Sequence, residues 1–146
     1  MLKGIPAAIS PQLLKVLAEM GHGDRIVIGD AYFASASLSR GHELVRADGM
    51  DAFVMADAIL QLMPLDRQAG DAVIAMGVPD ADGTAQPTPT AERFREVIAK
   101  YEPQAAQAMR CVDRFAFYEL TRNAYAVLAT GDSLTNGCII LQKGVR

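Results

Sequence analysis

The run Arg25-Ile26-Val27-Ile28-Gly29, closed by Asp30, constrains this chain more than any other stretch. Three β-branched residues in succession, with no polar residue among them, predict a strand buried on both faces. Such strands belong to sheets that helices cover on either side. Upstream, Ser10-Pro11 supplies a helix start, because the hydroxyl accepts an orphan N–H and proline loses nothing at the first helical position. Leu13, Leu14, Leu17 and Met20 then recur at helical spacing, and Gly21 suits the residue that closes such a helix. The helix therefore ends just before His22, one of two histidines in the chain, which stands between Gly21 and Gly23 in a helix-to-strand loop.

The alternation continues downstream. Ala31 to His42 predicts a loop, Glu43 to Arg46 a second strand, and Ala47-Asp48-Gly49 a turn. Ala52, Met55, Ala56, Ile59, Leu60 and Met63 return to helical period until Pro64 stops it. Asp71 to Val78 predicts a third strand, and Pro79 to Pro89, which contains three prolines, an exposed loop. Thr90 is expected to cap a helix carrying Phe94, Val97, Ile98 and Tyr101, and Pro103 to Ala108 to add a short helical turn. Met109 to Val112 predicts a strand, Arg114 to about Ala124 a helix, and Tyr125 to Thr130 with Cys138 to Leu141 two final strands.

Strands alternating with helices predict a three-layer α/β domain with a mainly parallel sheet and helices on both faces. The closely spaced last two strands predict an antiparallel edge near the C-terminus. In sheets of this kind ligands bind outside the carboxyl ends of the strands, which is where Asp30 falls.

Composition excludes several classes. At 146 residues and 51% apolar content, the chain can form one sizeable core, so a single domain spanning 1–146 is expected. The net charge of −3, with Lys and Arg scattered, offers no basic stripe for a phosphate backbone, so nucleic acid is not an expected partner. Pro6 and Pro11 interrupt the early apolar residues, and neither a signal peptide nor a membrane span is expected. Cys111 and Cys138 fit a cytoplasmic chain whose thiols pack as small apolar groups. The glycines around His22 precede the strand where a dinucleotide fingerprint follows it, and there is no Walker loop, H-E-x-x-H or G-x-S-x-G.

His22 reads either as an exposed turn histidine or as a catalytic imidazole that flexible glycines bring to a cleft. Asp24 reads as a cap at the strand entry. Asp30 reads as a pocket carboxylate, or as a turn carboxylate satisfied by backbone N–H groups. Phe115, Phe117 and Tyr118 read as core, with the Tyr118 hydroxyl in need of a partner if buried. Arg114 is a surface residue unless its strand end opens into the cleft of Asp30. Met55 and Met63 read as core filler, and His42 as surface.

The stretches MLKGIP, ISPQLLKVLAEMGHGD, LVRADG, PLD, RFAFYE and the closing ATGD and GCIILQKGV together resemble the L-fucose mutarotase branch of the RbsD/FucU family, which is related to D-ribose pyranase. The likeness spans nearly the whole chain, and RFAFYE points to the fucose branch. The resemblance implies an α/β subunit that assembles into rings, commonly decameric, with sugar sites at or near subunit boundaries and no metal or organic cofactor. It implies that His22 is the general acid, that Asp30 binds the sugar, and that Asp66, Arg114 and Tyr118 complete the pocket. Two stretches depart from the pattern. Where the family carries a sugar-binding Tyr-Gly-Asn, this chain has Asn136-Gly137-Cys138, and after Asp30 it reads Tyr32-Phe33-Ala34-Ser35.

Anomer exchange opens the sugar ring, turns the carbonyl and recloses. It needs a proton delivered to the ring oxygen while another leaves the anomeric hydroxyl, a task for a group titrating near neutrality. The expectation is that His22 supplies it and that the intervening strand brings Asp30 to the other side of the sugar. Alternative readings are a monosaccharide-binding protein with little turnover, or a pyranase acting on another sugar such as D-ribose.

Overall fold

The computed structural model describes residues 2–146. Helix α1 (Pro11–Glu19) starts as its sequence dictates, with the Ser10 hydroxyl accepting the Leu13 N–H at 3.1 Å and Pro11 in the first turn. Strand β1 (Arg25–Gly29) follows, then α2 (Ser35–Leu38), β2 (Glu43–Ala47), α3 (Ala52–Leu60) and β3 (Val73–Met76). A small hairpin, β4 (Val78–Pro79) and β5 (Ala85–Gln86), leads to α4 (Pro89–Ala99), α5 (Pro103–Gln107), β6 (Arg110–Val112), α6 (Arg114–Arg122), β7 (Ala126–Thr130) and β8 (Ile139–Gln142).

The main sheet has six strands in the order β2-β7-β1-β8-β3-β6. All pairings are parallel except those of β8, which runs antiparallel to both β1 and β3. The last two strands are therefore not the antiparallel edge pair that their spacing predicts. β1 lies between them, and β8 occupies the interior. The reason is burial: Ile139, Ile140 and Leu141 are each no more than 1% exposed, and a strand apolar on both faces is stabilised most between two neighbours. The edges fall to β2 and β6, which carry the exposed Arg46 and Arg110.

Period-2 alternation sends each strand into two cores. Ile26, Ile28, Val73, Ala75, Leu128 and Leu141 face α1, α3, α4 and α5, whereas Val27, Ile74, Met76, Val127 and Ile140 face α6. Phe117 of α6 is fully buried in the second core, and burying a phenyl ring of this kind stabilises the fold by about 2 kcal/mol. The layers are thus helices, sheet, helices.

Local departures have local causes. Thr88, not Thr90, caps α4, its hydroxyl accepting the Ala91 N–H at 3.1 Å, because Pro89 already satisfies the first helical position. The loop 79–89 contains the β4–β5 hairpin, and Gly77 breaks the third strand two residues early. A Cβ at that position would stand 2.6 Å from the Gln86 carbonyl oxygen. Residues 31–42 contain the short α2. Phe115 is 69% exposed, outside the core that its residue type predicts.

Candidate active site

The carboxyl ends of β1, β3 and β6 and the entry to β8 meet at one end of the sheet. Asp30 follows β1 there and is 5% exposed. Its Oδ1 accepts the Tyr32 N–H at 2.9 Å, and its Oδ2 accepts the Gly137 N–H at 2.9 Å and the Cys138 thiol at 3.4 Å. Three donors hold the buried carboxylate in place. One lone pair, on Oδ1, remains free to accept a hydroxyl hydrogen from a ligand.

A cavity of about 190 Å³ opens beside this carboxylate, where Arg114, Tyr118, Asn136 and Cys138 meet Phe33 and Met76, and Tyr32 and Thr135 complete the lining. It is smaller than the ~300–1,000 Å³ typical of drug-sized ligand sites, which suits one small polar solute. Arg114 and Tyr118 lie one turn apart on α6, so one helix face delivers a guanidinium and a phenol together. The Asp113 carboxylate caps that helix by accepting the Phe115 and Ala116 N–H groups at 2.8 and 3.0 Å. Phe33 packs edge-on against both Phe117 and Tyr118, with centroids 5.7 and 5.5 Å apart, and so supports the wall from which Tyr118 projects. Burial, reinforced by the neighbouring Asp30 charge, pushes the Cys138 thiol well above its usual range, so it stays a neutral S–H donor.

Asp30 also borders a wider cleft of about 630 Å³ on its other side, with Ser35, Ser37, Arg46, Asp48 and Thr130 in its wall. Arg46 there is paired with Asp48, which leaves the cleft no uncompensated cation.

His22 and Asp66 lie at the opposite end of the sheet. The loop carrying His22 is held by Asp24, whose Oδ2 accepts the Gly21 N–H at 2.7 Å, and by a Gly23 N–H bond to the Lys143 carbonyl at 2.9 Å. Gly23 has φ +88°, a conformation that favours glycine. His22 Nε2 lies 2.9 Å from Asp66 Oδ2, and since a carboxylate only accepts, Nε2 carries the hydrogen and Nδ1 is left toward solvent. The Asp66 Oδ1 accepts the Gln68 and Ala69 N–H groups at 3.0 and 3.3 Å. The Gln68 N–H above all, with Gln142 and His22, holds the Asp66 carboxyl below the usual carboxylate range against the opposing effect of burial.

Of the residues singled out from sequence, five therefore converge: Asp30, Arg114, Tyr118, Asn136 and Cys138 line one cavity. His22 and Asp66 form a pair of their own. The strand does not carry Asp30 across a sugar from His22 within one chain, because the five residues of β1 separate them at about 3.3 Å each, roughly 17 Å in all. Met76 and Phe33 also line the cavity and were not among the expected site residues. Met76 ends a strand whose neighbours are all apolar and carries no polar signal. Phe33 has one, since it stands three residues after Asp30, beside Tyr32, in a loop whose next residues are small. Among the described residues, no three His, Cys, Asp or Glu side chains converge so as to hold a metal ion.

A doubly covered, mostly parallel sheet with a small cavity at its carboxyl edge, where a few polar groups converge among apolar walls, defines an α/β protein built to hold a single small solute. The chain belongs to the RbsD / FucU transport protein family, whose pattern spans residues 3–146. It is 41% identical over 146 residues to a fucose mutarotase of Bos taurus, covering 99% of this chain and 94% of that protein. Its fold matches the crystal structure of the fucose mutarotase from Streptococcus pneumoniae in complex with L-fucose, with TM-score 0.88, 39% identity and 99% coverage of each chain. It matches Bacillus subtilis RbsD complexed with D-ribose less closely, with TM-score 0.72 and 27% identity over 100% of this chain and 99% of that one.

Proposed function

We propose that the chain is a mutarotase that interconverts the α and β anomers of L-fucose by acid–base ring opening and closure. The observation that carries this reading is the small cavity at the end of β1, where a triply anchored Asp30 faces Arg114, Tyr118 and Asn136. The likeness to the L-fucose-bound mutarotase of Streptococcus pneumoniae supports L-fucose as the sugar. Asp30 accepts a hydrogen bond from a sugar hydroxyl and fixes the ring, and Arg114 and Tyr118 donate toward oxygen as charge develops on it. His22, through its outward Nδ1, takes the proton of the anomeric hydroxyl and delivers it to the ring oxygen as the bond from that oxygen to the anomeric carbon breaks, and the same transfer runs in reverse on closure.

Because His22 stands at the far end of β1 from Asp30, the complete site takes its imidazole from a second copy of the chain. A contact joining the amino edge of one sheet to the carboxyl edge of the next is head-to-tail, and such contacts give rings where the rotation between successive copies closes. This supports a homo-oligomeric ring of the kind that the resemblance implies. Tyr32, Phe115 and Leu134, exposed by 70, 69 and 42%, give the cavity an apolar surround suited to such a contact. The two free cysteines, Cys111 and Cys138, support a cytoplasmic enzyme.

The test is magnetisation transfer between the α and β resonances of L-fucose. The wild type accelerates exchange, and His22→Ala and Asp30→Asn each abolish it. Mixing the two inactive variants and allowing subunits to exchange restores about a quarter of the activity, since about a quarter of head-to-tail contacts then pair an intact His22 with an intact Asp30. No restoration defeats the shared site. Acceleration of D-ribose interconversion in preference to L-fucose defeats the assigned sugar.

A further inference from the structure

Arg25 and Gln142 lie outside the cavity and outside every role assigned above, yet they bear on His22. They face each other in the β1–β8 register. The Gln142 amide is gripped at both ends: Arg25 Nε donates to its Oε1 at 2.8 Å, and its Nε2 donates to Asp66 Oδ2 at 3.0 Å. Arg25 is itself anchored by Asp71, Nη2 to Oδ2 at 3.1 Å. The main chain completes the frame, with the Asp66 N–H donating to the Gln142 carbonyl at 3.1 Å and the Gln142 N–H to the Ala72 carbonyl at 2.8 Å. A guanidinium only donates, so Arg25 fixes the sense of the amide and turns its N–H toward Asp66. Reversed, the amide would set an acceptor against the carboxylate.

The effect reaches the imidazole through one oxygen. Asp66 Oδ1 is taken by the Gln68 and Ala69 N–H groups, so Asp66 meets His22 with Oδ2 alone. That oxygen receives Gln142 Nε2 and His22 Nε2 together, two donors on its two lone pairs. The His22 side chain is 47% exposed, and this single bond fixes both its tautomer and its direction. We propose that Arg25 and Gln142 are positioning residues for the reaction: through the Gln142 amide they select the Asp66 lone pair that holds His22 as the Nε2–H tautomer with Nδ1 outward. The proposal rests on His22 being the group that carries the proton through its outward Nδ1, as read above.

The experiment compares Gln142→Met, Arg25→Met, the double variant and Arg25→Lys in the full-length assembled protein. Steady-state anomer exchange is expected to show kcat lowered about tenfold in each single Met variant with KM changed by less than about twofold, a loss in a proton-transfer step rather than in binding. The double variant is no slower than either single one, because both act through the same amide. Arg25→Lys retains most of the rate. In ring-nitrogen NMR under mildly alkaline conditions, where imidazole is neutral, His22 loses its Nε2–H preference in the Met variants while His42 is unchanged. Wild-type kcat with an unaltered His22 tautomer in Gln142→Met overturns the proposal, as do additive losses in the double variant. If Arg25→Met does not fold, Asp71→Asn, which releases Arg25, replaces it in the comparison. Undiminished exchange in His22→Ala sinks the proton-donor reading instead, and the tautomer measurement still decides whether the relay holds the ring.

Discussion

Gly137 and Asp30 are 107 positions apart in the chain, and the Gly137 N–H donates to Asp30 Oδ2 at 2.9 Å. The bond joins the turn before β8 to the residue after β1, the two strands that pair antiparallel at the centre of the sheet. The pocket carboxylate is therefore aimed by the same closure that completes the core.

Gly137→Ala tests that coupling. An added Cβ would lie 2.9 Å from the Leu134 carbonyl oxygen and 3.4 Å from the Asp30 Cβ, so the turn must move. The expected cost is about 1–2 kcal/mol of stability, with KM for L-fucose raised several-fold and kcat little changed. Chemical denaturation and exchange kinetics at varied sugar concentration check the two halves separately.

Asp30→Asn replaces an acceptor-only group by an amide at a site where three donors converge. If the amide turns its NH₂ toward Gly137 and Cys138, both of those donors lose their acceptor, and in the other sense the Tyr32 N–H does, so at least one donor goes unsatisfied. That costs about 1–3 kcal/mol, read as a lowered denaturation midpoint, and saturable sugar binding disappears from NMR titrations.

Cys138 is expected to resist alkylation. Its thiol is 1% exposed, and burial beside Asp30 disfavours the thiolate that reacts. In mildly alkaline iodoacetamide, peptide mass spectrometry should find Cys138 unmodified in the native protein and modified after denaturation. Modification of native Cys138 at the rate of the denatured chain would contradict the buried S–H donor.

Asp66 sets part of the acid sensitivity. Its carboxyl is held below the ordinary value by the Gln68 N–H first and by Gln142 and His22 after it, so the stability it contributes is present above about pH 3.9, the unfolded value. That contribution is lost as pH falls through the native value. Thermal melts between neutral and strongly acid pH should show Asp66→Asn with a shallower acid slope than the wild type. Equal slopes would remove Asp66 as a contributor.

Much of this was legible in residue order. The Ser10-Pro11 start, the Ile26-Val27-Ile28 strand and the delivery of Asp30 to a carboxyl edge are local consequences of capping, burial and strand periodicity, and the structure bears each of them out. Arg114, a surface residue by type, is joined to the site because the strand ahead of it ends at the same edge. The placement of β8 was not legible, since Ile139-Ile140-Leu141 reads the same at an interior or a terminal position and only competition among all strands decides. Nearness of His22 to Asp30 in the chain also misled, because a strand between two residues separates them by its full length. Arg25 and Gln142 gave no signal at all, being ordinary polar residues until the register sets them side by side.

The interior position of β8 has a consequence for biosynthesis. Until residues 139–142 emerge from the ribosome, β1 and β3 have no shared neighbour, and two rows of backbone donors and acceptors stand open in the middle of an apolar sheet. The β3–β6 pair can form first and the β2–β7–β1 half once residues 126–130 are made, but the two halves are joined only when β8 slots in between. A nascent chain stalled shortly before that point exposes adhesive edges, and a holdase chaperone would meet its strongest binding site there.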